Sequence, residues 1–257
     1  MKLHYRVSGH GHPLVILHGL FGSSDNWYTL SNVFAARFRV CAVDQRNHGR
    51  SPHSDVFDYK VMADDINNLL VHEGISSAFV LGHSMGGKTA MQFALAFPEK
   101  VDRLIVVDIG VKAYPPQHDK IFEALLALKL NLYKTRTELD AALAAYIGDA
   151  AVRQLLLKNV SRDDHGEFKW KIDVQAIRRN YDKINGAIQS TRPFEAPTLF
   201  VKGSNSSYIE EGDFEGIRGV FPNAILAVIE NAGHWVHAEA PQKFSEVVME
   251  FLSGSKR

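Results

Sequence analysis

Six stretches of the chain, residues 14–17, 40–43, 78–81, 104–107, 198–201 and 224–229, are short apolar runs rich in Val, Ile and Leu. A strand with one wet face alternates polar and apolar side chains. An unbroken run therefore has to be covered on both faces, as strands are in a parallel sheet held between helices. The stretches between the runs supply such helices. Residues 59–73 place Val61, Met62, Asp65, Ile66, Leu69 and Leu70 at helical spacing, and residues 86–97 and 241–252 read the same way, the last with proline in its first turn. Strand and helix in alternation predict an α/β fold built on a mostly parallel, doubly wound sheet.

The rhythm breaks once. From residue 112 to residue 190 there is no convincing buried strand. Apolar side chains instead recur in helical groups: Ile121, Phe122, Leu125, Leu126 and Leu128, then Leu139, Leu143 and Ile147, then Val152, Leu155 and Leu156. Thr137 followed by Asp140 resembles a capping arrangement at a helix start. A turn-like Asp163-Asp164-His165-Gly166 leads into an alternation through Phe168, Trp170 and Ile172, and a last helix is expected near Ile177 and Tyr181. Two ordinary crossover helices need fewer residues than this. The segment is read as a helical cap, residues 112–190, inserted into a core domain formed by residues 1–111 and 191–257.

Charge narrows the partners. Lys plus Arg equals Asp plus Glu at 29 each, so no net field attracts nucleic acid or an anionic membrane, and the expected partner is a small molecule. No apolar run approaches the ~20 residues of a membrane span, and the N-terminus lacks a signal-peptide stretch; no membrane insertion is expected, and the expected compartment is the cytoplasm. The single cysteine, Cys41, lies in an apolar run and reads as a small buried hydrophobe.

The chemistry concentrates at Gly82-His83-Ser84-Met85-Gly86, a G-x-S-x-G motif directly after one apolar run and directly before a helix. A serine on a strained strand-to-helix turn holds its oxygen exposed, and small neighbours let the backbone fold that tightly. The turn also aims the N–H groups and positive end of the helix at a developing oxyanion. Ser84 is thus the candidate nucleophile. The first run ends in His18-Gly19-Leu20-Phe21-Gly22, and a loop there can supply a second oxyanion donor. The expected pair is the N–H of Leu20 and that of Met85, with Phe21 as the fallback. A base must also stand at this edge of the sheet, and His234, in Gly233-His234-Trp235-Val236-His237 just past the last run, is the candidate. His83 is expected to point elsewhere on the turn. His234 and His237 are three residues apart, yet no third ligand has helpful spacing, so neither metal nor cofactor is expected.

These motifs, together with Asp44-Gln45-Arg46-Asn47-His48-Gly49-Arg50-Ser51 and the Gly87-Lys88 that follows the serine turn, resemble the α/β-hydrolase superfamily over essentially the whole chain, and within it the bacterial YbfF-type esterases. The resemblance implies a carboxylesterase that acts on small esters without a cofactor. Most members of the superfamily carry the acid that orients the histidine on the loop after the penultimate core strand. Here that loop reads Gly203-Ser204-Asn205-Ser206-Ser207-Tyr208, with no carboxylate; Glu210, Glu211 and Asp213 follow in what reads as a helix start, where the dipole alone favours acids. Asp108 instead ends the preceding run, one strand nearer the serine, a position that some relatives, the YbfF-type esterases among them, use. Asp108 is the candidate acid, against the alternative of a loop-bonding aspartate. Asp44 and Arg46 read as residues that tie loops together, and Lys88 as facing away from the site.

The reading is acyl transfer through an acyl-enzyme. Rivals on the same residues are a thioesterase or amidase, and a carbon–carbon bond hydrolase or lyase, which would need cationic groups for an acidic substrate. A binding protein that keeps the fold without turnover is the rival of another class.

Overall fold

The computed structural model describes residues 1–254. All six apolar runs are strands, and a seventh precedes them: β1 (Tyr5–Ser8), β2 (His12–Leu17), β3 (Phe38–Val43), β4 (Ala78–His83) and β5 (Val101–Val107), with β8 (Thr198–Gly203) and β9 (Ala224–Ile229) after a small hairpin of β6 (Val160–Arg162) and β7 (Phe168–Trp170). The main sheet runs in the order β1-β3-β2-β4-β5-β8-β9. Only β1 is antiparallel, pairing Tyr5 with Val43. The sequence reading missed β1 because Tyr-Arg-Val-Ser offers no apolar run; an edge strand needs none.

The helices are α1 (Tyr28–Phe34), α2 (Tyr59–His72), α3 (Met85–Ala96), α4 (Asp119–Ala127), α5 (Arg136–Ala144), α6 (Ala150–Leu157), α7 (Val174–Arg179), α8 (Tyr181–Asn185), α9 (Asp213–Val220), α10 (Val236–Glu239) and α11 (Pro241–Ser253). They lie on both faces of the sheet, and the period of two along each strand divides the interior accordingly. Leu14, Ile16, Val40 and Ala42 join one apolar cluster with Phe34 and Phe244. Val15, Leu17, Cys41 and Val43 join the other, with Met62, Ile66 and Met91. Each fully buried Leu, Ile or Val contributes roughly 1.5–3 kcal/mol relative to exposure. The other edge strand departs from the two-faced reading: Ile225, Leu226 and Val228 of β9 are 52%, 38% and 48% exposed, although the run is as apolar as its neighbours.

Helices α4–α8 and the hairpin all fall between β5 and β8. Phe122, Leu125 and Tyr181 share one apolar cluster with Met85 and Val106, so the inserted segment packs on the core without a separate interior. Its two ends are paired: Tyr114 N–H donates to Asn185 O at 2.9 Å, and Ile188 N–H to Val111 O at 2.8 Å. The cap of α5 lies two residues before the expected one. Thr135 accepts the Glu138 N–H while Glu138 bonds back to the Thr135 N–H, a full capping box. Asp140 instead meets Arg153 at 3.1 Å.

Candidate active site

Parallel strands present their C-terminal ends together, and the loops after β2, β4, β5, β8 and β9 meet there. Ser84 follows β4 with φ 53° and ψ −119°, a conformation non-glycine residues rarely adopt, and its N–H is held by Val107 O at 2.9 Å. The turn closes only because Gly86 has no side chain: a Cβ there would lie 2.4 Å from Leu17 O and 2.5 Å from His18 O. Met85 is the first residue of α3, so its N–H belongs to the donors that have no partner inside the helix.

Asp108 follows β5, also at positive φ, 51°, and is fully buried. Its carboxylate accepts the Gly203 N–H at 3.1 Å, the Ser206 hydroxyl, and the Nδ1 of His234 at 2.8 Å. The other nitrogen of His234, Nε2, lies 3.1 Å from Ser84 Oγ. The structure therefore brings Ser84, His234 and Asp108 into one hydrogen-bonded line. Glu210 and Asp213 lie apart from it, around Lys112 Nζ at 3.4 and 2.7 Å. The loop that lacks a carboxylate supplies the hydrogen-bond donors for Asp108 instead.

Two further groups fix His234. The Tyr208 ring stacks on the imidazole with centroids 3.9 Å apart and planes 19° apart. His83, expected to point elsewhere, donates its Nε2 proton to the His234 carbonyl at 2.9 Å, which leaves its Nδ1 unprotonated. Burial, then the neighbouring His237 and His234, hold His83 well below the ordinary imidazole range. His237 is stacked on Trp27 at 4.4 Å and is pushed down to about 3, chiefly by burial. Gly203 sets the distance between the β8 loop and the His234 loop, since a Cβ there would lie 2.2 Å from Ala232 O and 2.4 Å from Gly233 O.

The loop after β2 is equally constrained. His18 bonds the Gly19 carbonyl through Nδ1 at 2.8 Å and accepts the Gln45 N–H through Nε2 at 3.0 Å. The Phe21 N–H is engaged by His48 Nε2 at 3.3 Å, which removes Phe21 as an alternative oxyanion donor. Among the described residues the Leu20 N–H has no such partner. Asp44 receives the Ser24 and Arg50 N–H groups at 2.6 and 2.9 Å, and Arg46 pairs with Asp65 at 2.6 Å. Asp44 ties two loops together, as expected, and Arg46 ties its loop to α2.

A cavity of about 280 Å³ opens over Ser84 and His234, roofed by Ile121, Val152, Leu155 and Leu156 of the inserted segment. Lys88 corrects the sequence reading. In the first turn of α3, it lines a second cavity of about 40 Å³ that also contains Ser84. Its Nζ donates to Lys112 O at 2.7 Å and to Gly186 O, one at each end of the inserted segment. Burial lowers its pKa to about 8. His118, also unforeseen, lines both cavities and is bonded through Nδ1 to the Tyr181 hydroxyl. Ser206, Tyr208, His118 and Tyr181 carry no local motif, and only the fold brings them here. Among the described residues no group of three or more His, Cys, Asp or Glu side chains is arranged to hold a metal, and no helix is long and apolar enough to cross a membrane.

Known proteins resemble the chain along nearly its whole length. Residues 12–241 match the alpha/beta hydrolase fold family. A mouse protein named sn-1-specific diacylglycerol lipase ABHD11 is 40% identical over 248 residues, 93% of this chain and 80% of that one. Esterase YbfF of Escherichia coli is 34% identical over 242 residues, 94% of this chain and 93% of its own. The solved structure of a marine microorganism esterase superposes with a TM-score of 0.95 at 42% identity, covering 97% of this chain and 99% of that one.

Proposed function

The chain belongs to the α/β-hydrolase fold family, and from that premise we propose that it is a serine carboxylesterase working through an acyl-enzyme, with Ser84 as nucleophile, His234 as base and Asp108 as the acid that orients it. The observation that carries the reading is the continuous hydrogen-bonded line from Ser84 Oγ through the imidazole to the buried carboxylate. Asp108 accepts the Nδ1 proton of His234, so the lone pair of Nε2 is directed at the Ser84 hydroxyl. As Ser84 Oγ bonds the ester carbonyl carbon, its proton passes to Nε2. The Asp108 carboxylate stabilises the resulting imidazolium, and the oxyanion rests on the Leu20 and Met85 N–H groups. The carbon–oxygen bond to the alcohol then breaks, and Nε2–H protonates the departing oxygen. Water, deprotonated by His234, attacks the acyl-enzyme; the carboxylic acid leaves and Ser84 recovers its proton.

The names of the relatives, esterase and lipase, favour ester substrates over thioesters or amides. We read residues 112–190 as a cap, because they roof the cavity over the serine. The test is turnover of p-nitrophenyl acetate by the protein and by Ser84→Ala, with organophosphate labelling read by peptide mass. The reading expects turnover to vanish in the variant and the label to sit on the Ser84 peptide. Labelling elsewhere with Ser84 unmodified refutes it.

A further inference from the structure

Ser84 stands between two unequal chambers. The larger, about 280 Å³, is lined by His234, His83, Trp27 and Trp235 and by the apolar roof of the inserted segment. The smaller, about 40 Å³, is lined by Met85, Lys88, Ile109, Tyr114 and Ile184, and not by His234. Leu20, Ser84, His118 and Tyr208 line both and form the waist between them.

On the serine-esterase reading, the chemistry decides which part of an ester enters which chamber. The tetrahedral carbon on Ser84 Oγ has three other substituents. Its oxyanion points to the Leu20 and Met85 N–H groups. Its leaving oxygen has to reach His234 Nε2, within ~2.6–3.2 Å, to be protonated, and His234 lines only the large chamber. The alcohol therefore extends into the large chamber. The acyl chain is left with the remaining direction, past Met85 into the small one. At ~10–15 Å³ per water-sized occupant, a chamber of about 40 Å³ admits about three non-hydrogen atoms, against roughly twenty in one of about 280 Å³. The polar groups of the small chamber are largely engaged already. Lys88 Nζ donates to two carbonyls, the Tyr59 hydroxyl to Ile184 O at 2.6 Å and the Tyr114 hydroxyl to Tyr208 O at 2.6 Å, and the buried Asn185 Nδ2 is the exception, so an acyl chain meets mainly ring faces and methylenes.

We propose that the protein is selective for esters of short acids, up to about butyryl, with bulky apolar alcohols, the small chamber holding the acyl chain and the large chamber the alcohol. Two substrate series read the partition as kcat/KM. With 1-naphthol fixed as the alcohol, lengthening the acyl chain from acetyl to octanoyl lowers kcat/KM at least tenfold once the chain passes butyryl. With acetate fixed as the acid, lengthening the alcohol from ethyl to octyl raises kcat/KM at least tenfold, in keeping with what a few added methylenes do in an apolar pocket. Leu155→Trp, which fills the large chamber, lowers the octyl-to-ethyl ratio of the acetate series and leaves the order of the acyl series as it was. If kcat/KM climbs steadily from acetyl to octanoyl, or if Leu155→Trp shifts the acyl series instead, the acyl chain occupies the large chamber and the partition is wrong, while Ser84 chemistry stands. If no ester of either series is turned over and organophosphate leaves Ser84 unlabelled, the esterase reading itself falls, and the partition with it.

Discussion

Lowering the pH from 7.5 to 5.5 protonates, in the unfolded chain, histidines that the folded protein keeps neutral. Burial is the main cause for all of them. It holds His48 and His237 down to about 3 and His118 to about 4, and it lowers His18 and His83 in the same direction. Unfolded, each returns to about 6.5. The unfolded chain therefore binds more protons at every pH between the folded values and about 6.5, so stability is complete above that pH and is lost as pH falls below it. For a group at about 3 folded and about 6.5 unfolded, the loss between pH 7.5 and 5.5 is about 1.4 kcal/mol, and it doubles by pH 4.5. His48 and His237 together remove about 3 kcal/mol at pH 5.5, and His118, which keeps some contact with solvent, somewhat less. His18 and His83 add to this. Against a total of about 5–15 kcal/mol for a domain, cooperative acid unfolding is expected between about pH 5.5 and 4.5. Urea midpoints followed by tryptophan fluorescence at pH 7.5, 6.5 and 5.5 check this. An unchanged midpoint across the range, or ring-proton resonances of His48 and His237 that titrate near 6.5 in the native protein, would refute the reasoning.

Two other outcomes follow from the site. Asp108→Asn should lower kcat at least about a hundredfold with the fold intact by circular dichroism, because the amide reverses the tautomer preference of the imidazole; Glu210→Gln and Asp213→Asn, which sit around Lys112, should keep most activity. If the order is reversed on the same ester, the acid lies after β8. Gly203→Ala forces a Cβ into the carbonyls of Ala232 and Gly233, and displacing the His234 loop by about 1 Å should lower kcat on the order of a hundredfold; a variant with parent-like kcat shows that the loop moves freely.

Residues whose role is dictated by their immediate neighbours in the chain were legible in the sequence. Five core strands stood out because each is buried on both faces or nearly so, β9 by its apolar composition alone, since Ile225, Leu226 and Val228 are exposed, and Ser84 stood out because its turn demands glycine on either side. Asp108 was legible through an absence, the missing carboxylate after β8. β1 was not legible, since a strand paired on one side needs no apolar run. The direction of Lys88 was not legible, because the two carbonyls that receive its Nζ lie 24 and 98 residues away. Ser206, Tyr208, His83 and His118 act across separations that no local pattern encodes: Ser206 lies 98 residues from the carboxylate it bonds, and His83 lies 151 from the carbonyl it bonds.

The paired ends of the inserted segment make it exchangeable. Val111 with Ile188, Tyr114 with Asn185, and the single Lys88 ammonium on the carbonyls of Lys112 and Gly186 bring entry and exit side by side. A segment whose two termini meet at hydrogen-bonding distance is expected to fit that junction with the register of β5 on β8 kept. Leu104 and Val107, which pair with Thr198 and Val201, lie on the sheet side of it. Outright deletion is a different operation, because Phe122, Leu125 and Tyr181 shield the same apolar cluster as Met85 and Val106 and would leave it wet. Ser84, Asp108 and His234 all lie outside the segment between Val111 and Ile188, so a chimera that replaces it with another apolar-based helical cassette is expected to keep their hydrogen-bonded line under a different roof.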